Sequence, residues 1–206
     1  MKKFSFLFLM ALSVATVFTS CGEDEAVTPP VVAPVLVKEY TAVLLTAPQS
    51  TNESLTFGSL SNGKTYSYTS GAAGTNFDSV DIAYWYSSTH GAVLVSPDNY
   101  DAIVPLTNWA RKNTTSFQNV VGGNRATYDA VSRNTQLDTV YTNGTDIAAG
   151  TFGQSQTLNG RVGQLVAGSV TTCQAKSGKK AIIYVESVVP ISGPSGIITL
   201  RIKVQR

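Results

Sequence analysis

The feature with the widest reach is an alternation at the end of the chain. Across residues 196–205, Ile198, Leu200, Ile202 and Val204 point one way, and Thr199, Arg201, Lys203 and Gln205 the other. Side chains of a strand alternate between its two faces, so a period of two sets one face on a core and the other in water. Residues 180–189 form a second apolar, β-branched run. Residues 190–195, with Gly193-Pro194, supply the turn between the two. A helix would place neither set on one side, so this end of the chain is a strand pair.

Other segments follow the same pattern. Residues 40–46, 54–60, 65–69, 79–86, 91–96 and 164–175 are short, apolar or β-branched, and separated by Gly, Asn, Ser and Pro. Asn62-Gly63 supplies the left-handed backbone that a tight hairpin needs. In residues 79–86, Val80, Ile82, Tyr84 and Tyr86 lie on one face, and Asp81, Ala83 and Trp85 on the other. The middle is different. Around Asp129-Ala130-Val131 and Leu137 a short helical face is expected, with Thr127 as its cap. The expected fold is mainly β: an immunoglobulin-like two-sheet β-sandwich over residues 39–206, with a partly helical middle insertion near residues 99–140.

The start of the chain carries an address. Lys2 and Lys3 precede an apolar run from Phe4 to Phe18, and Phe18-Thr19-Ser20 places small residues just before Cys21. A membrane-spanning helix needs about 20 predominantly apolar residues. This run is shorter and contains Ser5, Ser13, Thr16, Thr19 and Ser20. The segment resembles the lipobox signal of bacterial lipoproteins, with Phe18 where that family usually has Leu, Val or Ile. The resemblance implies removal of residues 1–20 and triacylation of Cys21. Each buried acyl CH₂ contributes about 0.8 kcal/mol, so two or more chains anchor stably. Glu23-Asp24-Glu25 resembles the acidic export tag of Bacteroidetes surface lipoproteins, which implies an outer-membrane, cell-surface location, with the periplasmic face as the alternative. Asp78-Ser79-Val80 and Asp138-Thr139-Val140 resemble the O-glycosylation pattern of the same phylum, at Ser79 and Thr139. Residues 21–38 contain Pro29, Pro30 and Pro34, which favour an extended, semi-rigid tether.

Charge and composition narrow the function. There are 15 Lys and Arg against 13 Asp and Glu. Lys2 and Lys3 belong to the signal, so the remainder is balanced and gives no reason to expect nucleic acid. Basic residues gather in the last third, at Arg161, Lys176, Lys179, Lys180, Arg201, Lys203 and Arg206; such runs are usually solvated faces. With Cys21 committed to lipid, Cys173 has no disulfide partner. One histidine, His90, sits in a turn without a nucleophile elbow. No paired His/Cys spacing calls for zinc, and no cofactor is expected. Asp78, Asp81, Asp98 and Asp101 would have to converge for a carboxylate hydrolase to exist here.

Aromatic side chains are the stronger candidates. Flat rings rimmed by polar groups suit sugar recognition, and Trp85, Tyr86, Tyr100 and Trp109 are the candidate ligand-binding set. The expected function is non-catalytic binding of a glycan or a partner protein at the cell envelope. The alternative is a structural or assembly subunit that pairs through a sheet edge, with residues 196–205 as the candidate edge.

Overall fold

The computed structural model describes residues 33–47, 54–101, 103–147, 159–190 and 196–206. The expected signal segment, Cys21, the acidic cluster, most of the expected tether and residues 191–195 of the expected turn lie outside the described residues. Two antiparallel sheets face each other. The larger has the order β1 (Lys38–Thr46), β11 (Gly196–Val204), β10 (Lys180–Pro190), β9 (Val170–Ala175), β6 (Thr115–Asn119) and β7 (Thr145–Asp146). The smaller runs β3 (Thr65–Tyr66), β2 (Phe57–Gly58), β4 (Ile82–Ser87), β5 (Gly91–Val95) and β8 (Arg161–Leu165). The chain is a mainly-β, two-sheet sandwich with short helices in its middle.

The terminal alternation builds the centre. Ile198, Leu200, Ile202 and Val204 face inward with Ala181, Ile183 and Val185 of β10 and Val43 and Leu45 of β1. Ile82, Tyr84, Ala92 and Leu94 meet them from the small sheet. Contrary to the expected edge, β11 is interior: it bonds to β1 on one side and β10 on the other. The edges of the large sheet are β1 and the two-residue β7, and β1 is the long one. It carries a register shift between Tyr40 and Val43, with Ala42 at φ 54, and such bulges disrupt regular edge pairing.

Both outer faces are covered as well, which one-sided alternation does not require. Ala83, Trp85, Val93 and Val95 point away from the central core into a second cluster. That cluster is closed by Tyr68 and Ala72 of α1 (Tyr68–Ala72), Phe77 of a 3₁₀ turn (Asn76–Ser79), Tyr100 of α2 (Pro97–Tyr100), and Leu106 and Trp109. On the large sheet, Ile182 and Tyr184 pack under Tyr128 and Val131, at α3 (Arg125–Ala130), and under Leu137 and Val140 of α4 (Asn134–Thr142). The helix expected near Thr127 is therefore two. Asn124 caps α3, with Thr127 as its reciprocal partner, a capping-box arrangement.

Three further differences have local causes. Residues 65–69 stop being a strand after Tyr66, because Ser67 and Ser70 exchange side-chain-to-backbone hydrogen bonds of 3.2 and 2.8 Å and start α1. Residues 164–175 are parts of two strands in different sheets, separated by a turn with Gly168 at φ 93. The middle excursion also returns a strand to the large sheet: Phe117 of β6 pairs with Cys173 and is fully buried. Residues 34–206 form one compact unit. The end of the expected tether belongs to it: Val37 N donates to Ser132 O at 3.1 Å and Asn134 N to Val35 O at 2.9 Å.

Candidate functional site

The β4–β5 hairpin carries the accessible part of the aromatic set. His90 N donates to Ser87 Oγ at 3.0 Å, and Gly91 takes φ 62, which turns the chain. On the β4 side Trp85 is half-buried, opposite Val93. Its ring lies 5.7 Å from the His90 ring, tilted by 45°. His90 O accepts from Gln164 N at 3.1 Å, which brings the exposed Gln164 of β8 alongside. Ser88 and Thr89 are exposed at the tip. The result is an aromatic pair on a hairpin whose neighbours Ser88, Thr89 and Gln164 are exposed polar residues.

The other three candidates lie elsewhere. Tyr86 is on the opposite face of β4, packed against the central core and close to Gly196 of β11. Tyr100 is buried edge-on to Phe57, centroids 5.3 Å apart, and burial pushes its hydroxyl pKa up. Trp109 is buried 4.7 Å from Phe57 and 6.4 Å from Tyr68. Its Cζ2 lies where a β-carbon on Gly71 would come within 2.5 Å. Tyr100 and Trp109 are therefore packing residues of the outer core, and the four rings do not form one surface. Alternation along β4 separates Trp85 from Tyr86 by necessity.

The four aspartates are engaged one at a time. Asp78 pairs with Arg111 at 2.8 Å. Asp98 accepts from Ser96 Oγ and from Asn99 N, the latter at 2.9 Å. Asp101 accepts from Leu106 N at 2.5 Å and pairs with Lys112 at 3.1 Å, and these bonds hold its carboxyl below the usual range against partial desolvation. Asp81 is buried and accepts from Leu60 N at 2.8 Å; burial raises its pKa to about 6, against the opposing bonds from the Leu60 and Ser61 backbone. Among the described residues, no three His, Cys, Asp or Glu side chains come together as a metal-binding group.

Much of the basic end is tied into structure. Arg201 pairs with Glu39 at 2.6 Å, and Lys180 with Asp138 at 2.6 Å. Lys203 Nζ donates to Tyr128 O at 2.9 Å and Asp129 O at 3.3 Å beneath α3. Arg161, counted among the solvated cations on sequence grounds, is fully buried. Only its position in β8, one residue before the inward Val162 and opposite Val95, distinguishes it from the surface cations.

Asn113 is buried, and its Nδ2 donates to the carbonyls of Phe77, Asp78 and Val80 at 3.2, 2.9 and 2.9 Å. That amide fastens the 3₁₀ turn to the chain entering β6. Ser79 is half-buried in the same turn, and Thr139 is exposed on α4, its Oγ1 donating to Thr135 O at 3.0 Å.

Comparison with known proteins finds no matching family, no matching curated protein and no matching solved structure. Among the described residues, no helix is long and apolar enough to cross a membrane.

Proposed function

We propose that this chain is a lipid-anchored, non-catalytic binding protein of the bacterial outer membrane. Cys21 holds it, the acidic segment behind Cys21 directs it to the cell surface, and the sandwich presents the β4–β5 hairpin to a glycan or an envelope protein. The observation that carries the binding reading is the Trp85–His90 pair. Trp85 and Tyr86 both keep part of their surface, but Tyr86 packs against the central core on the other face of β4, whereas Tyr100 and Trp109 are consumed by packing. A partly exposed indole beside an imidazole, on a hairpin with exposed Ser88 and Thr89 at its tip, supplies a stacking face with polar groups nearby.

The test is retention on a panel of envelope and host glycans. Trp85→Ala removes the platform without opening the central core, so a folded variant that loses retention is the expected result. Equal retention by wild type and Trp85→Ala would sink the hairpin assignment. Trp109→Ala is unsuitable as a probe because that ring is buried inside the outer core, whereas Trp85 packs against the same cluster only in part.

A second reading is favoured by one observation. β1 ends the order of the large sheet and leaves Leu44 41% exposed, so a partner strand can add along its regular part, Val43 to Thr46, past the register shift. The expected sign of an assembly subunit is a stable co-purified protein whose binding is lost on substitution in β1 and kept in Trp85→Ala.

A further inference from the structure

We propose that Arg161 anchors a buried site for a small oxyanion, a carboxylate or a phosphate-type group, between β8 and α2. Arg161 has no exposed surface and is the largest of the fully buried side chains. Its Nη2 donates to Asn99 O at 3.3 Å, while Nε and Nη1 have no acceptor among the described residues. A guanidinium carries five N–H donors in a planar fork and stays charged in proteins. One long bond to a neutral carbonyl neither neutralises nor satisfies it. Burial alone lowers its pKa, with no charged neighbour contributing.

Among the described residues, no acidic side chain pairs with Arg161. Between Asp146 and Glu186 the chain contains no Asp or Glu. The two aspartates at α2 are engaged elsewhere: Asp98 accepts from Ser96 and Asn99, and Asp101 from Leu106 and Lys112. A buried charge left unpaired is strongly destabilising, so a fold that retains one has a use for it. An oxyanion matches this donor set because it supplies both the opposite charge and several lone pairs.

The surroundings hold the arginine in place. Ser96 N donates to Gly160 O at 3.0 Å, which joins the start of α2 to the residue before Arg161. A β-carbon on Gly160 would lie 2.4 Å from Asn99 Nδ2. Glycine is thus required for Asn99 to reach β8 and offer its carbonyl to Arg161. Ser96 and Asn99 are themselves buried, so the cation sits among polar groups and away from water. Complete burial limits the ligand to a few heavy atoms. This site is independent of the Trp85–His90 hairpin and stands or falls separately from the proposed function.

The experiment uses purified full-length protein, unfolded and refolded in chloride to strip any carried anion. Thermal unfolding is then followed with added acetate, phosphate or sulfate at constant ionic strength. The account expects a saturable rise for wild type, about 5–10 °C at one hundred times Kd for a domain of this size. The effective anion identifies the group as carboxylate or tetrahedral. The rise is expected to vanish in Arg161→Met, which in chloride should melt no lower than wild type because it replaces an unpaired buried charge. If Arg161→Met does not fold, Arg161→Lys keeps the charge without the planar fork and is expected to reduce the response. A wild type indifferent to all three anions, or an equal response in wild type and the folded variant, overturns the proposal. So does a crystal structure grown from a saturating oxyanion with only water at Nε and Nη1.

Discussion

Asp81 makes the stability of this sandwich depend on pH in a direction opposite to most paired carboxylates. It is buried and raised from the usual 3.8 to about 6. The folded chain therefore holds this proton more tightly than the unfolded chain does. Unfolding releases the proton between the two values, so stability falls as pH climbs from about 4 to about 6 and remains lower above that. The shift corresponds to about 3 kcal/mol. The lowered carboxyls Asp101 and Asp138 act the other way, and their contribution is lost as pH falls below the usual carboxylate value. Between about pH 4.5 and about pH 7.5 the change is thus dominated by Asp81. In Asp81→Asn the carboxamide oxygen still accepts from Leu60 N. The bond from Ser61 is weakened, at a cost of about 1 kcal/mol. Urea unfolding across that window should show a falling stability for wild type and a nearly flat profile for Asp81→Asn, with the variant the more stable at neutral pH by about 1–2 kcal/mol. Parallel profiles for the two proteins would show that burial of Asp81 does not govern its ionisation, and the reasoning would fail.

Two substitutions probe the outer core. Gly71→Ala drives a methyl into the Trp109 indole, 2.5 Å from Cζ2, in a ring already set against Phe57; a loss of about 1–3 kcal/mol in urea unfolding is expected from overpacking. Asn113→Ala removes the amide facing three carbonyls and should destabilise by about 1–3 kcal/mol, with faster hydrogen exchange concentrated in residues 76–80.

The strands that pack one face inward were legible because alternation survives in their composition. Ile198, Leu200, Ile202 and Val204 read as one side of a strand and occupy the central core. Residues 82–85 also alternate as expected, but both of their faces pack against a core, Trp85 only in part. Alternation identifies two faces without saying what covers each, so Trp109 and Tyr100 resembled surface aromatics until α1 and α2 closed over them. β6 was not legible: Thr115-Ser116-Phe117-Gln118-Asn119 has one large apolar residue, and its burial follows from pairing with β9 and β7. The interior place of β11 was hidden for a related reason. A sequence gives no strand order, and β1 returns across the whole length of the chain to cover what looked like a free edge. Arg161 carried no signal of its own, since its burial depends on Val95 and Asn99, both more than 60 positions away.

The most direct test of the proposed function is protease treatment of intact and lysed cells, with Cys21→Ala as the control for the anchor. The account predicts that the wild-type domain is digested on intact cells, and that Cys21→Ala leaves the membrane fraction. Protection of the wild type until lysis, or membrane retention of Cys21→Ala, would contradict a surface-displayed, lipid-held binding domain.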